Sequence, residues 1–249
     1  MKLITANLFR LLALALLLIL LFRTEWLTFL LAPLTKNNAP AVYTQNSLPG
    51  LALAHMQLVL ISIVGSAVLA VAGGIFVTRK SGADFRPLSR AIANAGQTFP
   101  PVAVLALAVP AMGFGAGPTL VALFLYGLLP IFENTISGLH QVSPAVLDAA
   151  DGMGMNPAQR LFRVELPLAL PLIIEGIKVA TVINIGTATI GSTVAAKGLG
   201  EVIIAGLISD NTAFILQGGL IVGLMAVLIY DAMGLVESAA TRKMGLRAA

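Results

Sequence analysis

Apolar residues run along this chain in six long blocks, separated by short clusters of charge, Pro and Gly. The first block lies within Leu3–Leu31 and is densest at Leu11–Phe22. The others cover about Leu51–Val77, Ala91–Met112, Thr119–Leu139, Leu170–Ala195 and Ala213–Val236. A helix needs roughly 20 mostly apolar residues to cross a bilayer, and each block meets that length. The blocks are continuous rather than alternating, which excludes a membrane β-barrel. In lipid, a helix satisfies its own backbone, whereas an open sheet does not. The pattern therefore predicts an all-α integral membrane protein with about six transmembrane helices.

The first block has a competing reading. Lys2, Arg10 and the run to Phe22 have the form of a secretory signal. No small-residue cleavage site follows. Arg23-Thr24-Glu25-Trp26 lead into further apolar sequence, so a retained span is expected. Residues Ala32–Gly50, rich in Pro and Asn, are then an external loop. The expected organisation is a first helix and loop over 1–50, a transmembrane core over 51–236 and a cytoplasmic tail over 237–249. No internal repeat stands out, and no loop has room for a soluble domain. ATP hydrolysis or tight solute capture would have to occur on another polypeptide.

Composition changes the picture only by confirming the solvent. Apolar residues make up 58% and charged residues 10% of the 249, against about 45–50% and 25% in soluble domains. A soluble fold would lack the polar side chains to cover itself; lipid removes that need. With no cysteine, neither a disulfide framework nor a thiolate metal site can form. A net charge of +4 and a pI near 9.7 suggest nucleic acid in a soluble protein. Here the basic residues gather at one set of span ends, so no nucleic acid is expected. That set holds Lys2, Arg10, Arg79, Lys80, Arg86, Arg90, Arg160, Arg163, Lys178, Arg242, Lys243 and Arg247. The other holds Arg23, Lys36 and Lys197. Twelve against three places the first set, and both termini, on the cytoplasmic side.

The longest cytoplasmic loop joins the fourth and fifth spans. Ser143-Pro144 is a helix start, with Ser supplying the cap oxygen and Pro fitting the first helical position. Asn156-Pro157 repeats the signal. Gly152 and Gly154 permit a sharp turn between them, and Pro167 should stop or redirect the second helix. The first helix is expected to expose Ala149 and Ala150 beside Asp148, small enough for close approach by a partner. In the second, Leu161, Phe162, Val164 and Leu166 can pack on a groove or on the adjoining spans. Arg160, Arg163 and Glu165 should face water. From the residues alone, partner docking and a self-packed connector are equally good readings.

The pattern Asp148-Ala149-Ala150, three residues, Gly154, nine residues, Val164-x-Leu166-Pro167 resembles the "EAA" loop of ABC importer permeases. Asp148 and Val164 depart conservatively from its Glu and Ile. Further segments resemble the osmoprotectant permeases, the glycine betaine, choline and carnitine uptake systems of bacteria. These are Gln97-Thr98-Phe99-Pro100-Pro101, Leu129-Pro130, Gly152-Met153-Gly154-Met155, Val164-Glu165-Leu166-Pro167-Leu168 and Asn184-Ile185-Gly186-Thr187-Ala188-Thr189. The resemblance spans about Leu51 to Leu235. The group usually has Arg or a neutral residue at Glu133, and Ala near Glu175.

This resemblance implies a type I importer permease in the bacterial inner membrane. Asp148, Ala149, Ala150, Gly154, Val164, Leu166 and Pro167 would form the coupling element in a cleft of a separate ATPase subunit. ATP and Mg would bind that partner, and this chain would bind no cofactor. The other implied partners are a second permease, its own copy or a paralogue, and a periplasmic or extracellular solute-binding protein. Membrane lipid would surround the spans.

Polar residues inside spans are candidates for a solute path. Asn94, Gln97 and Thr98 open the third span. Asn184, Thr187, Thr189 and Ser192 run through the fifth. Helical spacing puts 184, 187 and 191 on one face and 189, 192, 193 and 196 on another. One stripe could line a passage while the other packs on a helix. The alternative is that small residues serve only close packing, which is the simpler reading for Gly219-x3-Gly223. Glu175 and Lys178 suit a local ion pair. Glu133 and Asp231 should reach headgroup water, and Gly198-Leu199-Gly200 should turn outside the fifth span. His55 and His140 fall on opposite sides of the membrane, too far apart for a metal site. The alternatives to osmoprotectant import are another small solute, such as an amino acid, or an ion-coupled secondary transporter. The latter needs buried ionisable residues and repeated halves, and neither is evident. No G-x-S-x-G or H-E-x-x-H motif supports an intramembrane enzyme.

Overall fold

The computed structural model describes residues 2–36 and 38–243, with side chains from residue 7 to residue 242. Arg247 and the last part of the tail predicted over 237–249 lie outside the described residues. Helix is the only regular structure among the described residues. The main helices are α1 Lys2–Phe22, α2 Leu48–Thr78, α3 Arg86–Thr98, α4 Pro101–Met112 and α5 Ala116–His140. They continue with α6 Pro144–Gly152, α7 Pro157–Arg160, α8 Leu166–Thr187, α9 Gly200–Ile208 and α10 Thr212–Lys243. Four stretches are long and apolar enough to cross a membrane alone: α2, α5, Pro157–Val194 and Thr212–Arg242. Two bent helix pairs bring the number to six if each counts as one span.

Both bent pairs correct the expectation of uninterrupted spans. The first span does not run on to Leu31. Helix α1 ends at Phe22, and short helical turns over Thr24–Leu34 come after it at an angle of 107°. The break falls on Arg23-Thr24-Glu25, whose exposed charges are costly to hold in lipid. The third span, expected over Ala91–Met112, is two helices. Phe99 and Pro100 are extended between α3 and α4. Pro100 and Pro101 have no N–H to continue the helical ladder, and proline pushes the residue before it out of the helical region.

Exposed apolar faces are what lipid requires of such helices. On α2, Leu53, Leu60, Ile61, Val64 and Val68 are exposed, while Leu51, Val59 and Ile63 are buried. On α10, Gly219 and Gly223 are open, with no atom of another described element within 4 Å of where a Cβ would stand. Among the described residues they pack against no other helix, so the close packing expected of them is not made within the described part of this chain.

The chain divides into two compact units. One comprises Met1–Ser62, Pro100–Leu123 and Val182–Ile229. In it, Leu51, Ile185, Leu199, Val202 and Ile221 are fully buried. Polar links tie the loop before α2 to α9, α10 and the turn joining them. Lys36 pairs with Asp210 at 2.7 Å, Asn46 with Glu201 at 2.6 Å, and Asn211 Nδ2 donates to the Pro40 carbonyl at 2.8 Å. Gln217, wholly buried, accepts from the Tyr43 amide at 3.0 Å.

The other unit comprises Ile63–Phe99, Phe124–Thr181 and Tyr230–Ala249. Its core centres on Leu139, Ala169 and Ile173, against which Val71, Ile75, Leu161, Leu166 and Ile177 pack. Glycine allows α5 and α8 to touch backbone to backbone. A Cβ on Gly138 would lie 2.9 Å from the Ala169 carbonyl, and one on Gly176 would lie 2.8 Å from the Pro130 carbonyl. The loop between α5 and α8 is thus seated on a fixed two-helix base.

Candidate functional site

The loop predicted as two short helices about a glycine turn has that form at its first end. Pro144 occupies the first position of α6, but the Ser143 hydroxyl makes no capping bond, contrary to expectation. Proline's fixed φ is enough to start the helix there. At the end of α6, Gly154 has φ of +75°. The Gly154 amide donates to the Asp151 carbonyl at 2.9 Å, and the Met155 amide donates to the Ala150 carbonyl at 3.2 Å. These two bonds are the Schellman closure of a helix C-terminus, which needs a left-handed residue where Gly154 stands. Asn156 then starts α7 with a full capping box. Its side chain accepts from the Gln159 amide at 2.9 Å, and Gln159 returns the bond at 3.0 Å.

Three sequence expectations fail here. Ala150 is buried at 1% exposure; only Asp148 and Ala149 of the motif's first triplet face outward. Successive helix positions point about 100° apart, so the two alanines cannot share a narrow face. Pro167 does not stop the helix. Residues Leu161–Glu165 form a π-turn and the helix runs through to α8. The wider turn shifts the ladder to i→i−5 bonds just where proline would remove an i→i−4 bond. Glu165 does not face water; it is 4% exposed.

Its partners explain why. Arg79, just past α2, forks onto Glu165, with Nη1 at 3.0 Å and Nη2 at 2.5 Å. Arg160 Nε donates to the same carboxylate at 3.1 Å. The Arg160 Nη1 donates to both oxygens of Asp151, at 2.9 and 2.7 Å. Two guanidinium and two carboxylate groups form a charge-balanced chain through the base of the loop. On its outer surface Met153 is 70% exposed and Phe162 is 67% exposed. Leu161 and Leu166 pack inward, and Val164 and Pro167 are half-buried.

The candidate path residues fall in different units. Asn94, Gln97 and Thr98 belong with α3. Asn94 is exposed and lines a surface cavity of about 610 Å³ with Arg86, Pro87, Arg90, Ala91, Leu129 and Glu133. Glu133 does not simply reach headgroup water: Arg90 Nε sits 2.6 Å from its Oε1 and Nη2 donates to Oε2 at 2.8 Å. Gln97 Nε2 donates to the Tyr126 carbonyl at 2.9 Å, and the Thr98 hydroxyl to the Ala95 carbonyl at 3.0 Å.

Asn184 is wholly buried. Its Nδ2 donates to the Leu123 carbonyl at 2.9 Å and to the Ser62 hydroxyl at 3.2 Å. Beyond Thr187 the helix tightens into a 3-10 segment over Ala188–Val194. The two expected stripes therefore do not form at a spacing of 3.6. With three residues per turn, Ala188, Gly191 and Val194 become the buried face, and Thr189 and Ser192 fall on another. Thr187 is half-buried. The Thr189 and Ser192 hydroxyls bond the Gly186 and Ala196 carbonyls at 2.7 and 3.2 Å. Lys178 is paired with Glu175, as its spacing suggests. It also binds Glu237 of α10 at 2.9 Å and lies 4.5 Å from the Tyr230 ring.

The Arg79–Glu165 pair was not legible in the sequence, because its members are 86 residues apart. Arg160 and Glu165 are five apart, and the π-turn over Leu161–Glu165 lies between them.

The chain has relatives among known proteins. A family model described as the inner membrane component of binding-protein-dependent transport systems matches residues 70–242. The osmoprotectant import permease protein OsmY of Salmonella typhimurium is 39% identical over 175 residues, 70% of this chain and 74% of the relative. The choline transport system permease protein OpuBB of Bacillus subtilis is 38% identical over 184 residues, 74% and 83% respectively. The glycine betaine/carnitine/choline permease OpuCD of the same organism is 40% identical over 189 residues, 74% and 80%. Among solved structures, an inward-facing MetNI methionine ABC transporter chain superposes with a TM-score of 0.70. It covers 80% of this chain and 100% of that one at 21% identity, a likeness of fold alone.

Proposed function

The chain belongs to the family of inner membrane components of binding-protein-dependent transport systems, and we propose that its cargo is an osmoprotectant of the betaine, choline or carnitine kind. As a member it is an integral membrane permease of an ATP-driven importer, and ATP hydrolysis lies on a separate subunit.

The coupling reading rests on one observation above the rest. Helix α6 presents Asp148 and Ala149 outward and is closed at Gly154 by backbone geometry that only glycine adopts freely. Small outward residues on a short helix of fixed end suit a cleft in an ATPase subunit. ATP and Mg would bind there, on the partner. Asp148, Ala149, Ala150 and Gly154 form this coupling element, with Val164, Leu166 and Pro167 in its supporting helix. The basic residues at the same span ends support a cytoplasmic loop and cytoplasmic termini. Two permease chains, identical or paralogous, would carry two such loops. Closure of the ATPase pair would then bias one of two membrane packings.

The solute assignment draws on the relatives' names and on the polar residues. Asn94, Gln97 and Thr98, with Thr187, Thr189 and Ser192, offer hydroxyl and amide groups rather than a strong fixed charge. The chain has one Trp and three Tyr, and the fifth apolar block carries no aromatic residue at all, so the aromatic cage that captures quaternary ammonium groups tightly is not built along it. High-affinity selection therefore belongs to a solute-binding protein outside the membrane, with this chain as a weak passage.

The test is reconstitution with the ATPase and binding-protein partners in liposomes. Uptake and stimulated ATP hydrolysis are measured for glycine betaine, choline, carnitine and a set of amino acids. Stimulation by the betaine group is expected. Stimulation by an amino acid alone would replace the solute assignment. Uptake without ATP would overturn the importer reading.

A further inference from the structure

We propose that Glu165 is a positioning residue for energy coupling: together with Arg79 and Arg160 it clamps the coupling helix to the end of α2, so that the loop moves with the membrane helices as one body. The inference rests on α6 being the coupling helix.

Helix α6 has a closed C-terminal turn and one buried residue, Ala150, but little else of its own to hold it. It is nine residues long, its Ser143 makes no side-chain cap, and its outward face is exposed. Force received by such a helix would be lost in local bending unless something stiff carries it onward. The ion chain supplies the connection. Asp151, in the last turn of α6, binds Arg160 of α7 at 2.7 Å. Arg160 binds Glu165 in the π-turn, and Glu165 binds Arg79 at the end of α2. The links cross from α6 to α2, elements far apart in sequence. Only the middle of the chain is dry: the Glu165 side chain is 5% exposed, against 53% for Asp151. Buried ion pairs contribute little to net stability, and here the forked contact from Arg79 holds the Glu165 carboxylate at two points. The π-turn is what aims the carboxylate. One extra residue in a turn rotates the downstream helix by about 100°, and here it brings Glu165 under both arginines.

The experiment uses the full transporter with its ATPase and binding protein in liposomes, comparing Glu165→Gln and Arg79→Gln with the unmodified chain. Expected is normal subunit stoichiometry and ATP hydrolysis within about 3-fold of the starting rate, with solute moved per ATP falling about 10-fold. Because the chain has no cysteine, a spin label at Met153→Cys reports loop motion directly. Its spectrum should show a more mobile loop in both variants. Should Glu165→Gln fail to assemble, Arg160→Gln, whose side chain is more exposed, gives the same two readouts. An unchanged ratio of solute to ATP, or an unchanged spectrum, overturns the clamp. A separate cross-link from Ala149→Cys to the ATPase tests the underlying assignment. Its absence in an active transporter removes the coupling helix itself, whatever the clamp variants do.

Discussion

Asn184 is a candidate for lining the solute path, and its burial and two hydrogen bonds point to a structural task whose size can be worked out. Replacing it with alanine removes the donors to the Leu123 carbonyl and the Ser62 hydroxyl. Interhelical hydrogen bonds in membranes average about 0.6 kcal/mol and reach about 1.7 kcal/mol, so two bonds contribute about 1–2 kcal/mol. The lost carboxamide leaves a void of about 30 Å³ in a site with no exposure; at about 24 cal/mol per Å³ this adds about 0.7 kcal/mol. Against these, Asn184 Oδ1 is buried without a partner, and deleting it returns about 1 kcal/mol. The net loss is about 1–2 kcal/mol. At about 2–4 °C per kcal/mol for a chain of this length, the melting temperature of the purified permease in nanodiscs should fall by about 2–8 °C. Uptake by the reconstituted transporter should keep its KM for solute. A KM shifted more than about 3-fold with an unchanged melting temperature would refute the reasoning and return Asn184 to the passage.

The geometry sets two further outcomes. Gly154→Ala meets no steric neighbour, so its cost is the left-handed φ alone, about 1–2 kcal/mol. Hydrogen exchange should rise at the amides of Gly154 and Met155 and uptake should fall, while membrane insertion stays intact. Normal exchange there would mean that the Schellman closure does not hold α6. Lys178→Met leaves Glu175 and Glu237 facing each other without their cation. The loss should be about 2 kcal/mol, below the 3–5 kcal/mol of a fully buried pair because both acids are partly exposed. Lys178→Arg should recover most of it in the same thermal assay, and equal melting of all three forms would show that the cluster is not structural.

The site was legible where its logic is local. Asn156-Pro157 followed by Gln159 specifies a capping box within four residues, and the structure contains it. Gly154 marked a turn because few other residues adopt positive φ. The path residues were harder. Asn184 looks the same in sequence whether it lines a passage or binds a neighbouring helix, and the Leu123 carbonyl that it bonds belongs to another helix. Past Thr187 the forecast failed for a related reason. A 3.6 spacing was assumed, and packing of Gly191 against Thr119 lies along a segment wound at three residues per turn.

By itself the sequence determined the solvent, the helical class, the six apolar blocks and the loop that interrupts them. Each comes from hydropathy and from residue spacings inside a single element. Only the tertiary structure decided that Ala150 is buried, that the helix runs through Pro167 and that Glu165 lies between two arginines. Those outcomes depend on groups brought together from distant parts of the chain. In lipid, helices meet through close packing of small residues and through pairing of buried polar groups, and both join elements distant in sequence.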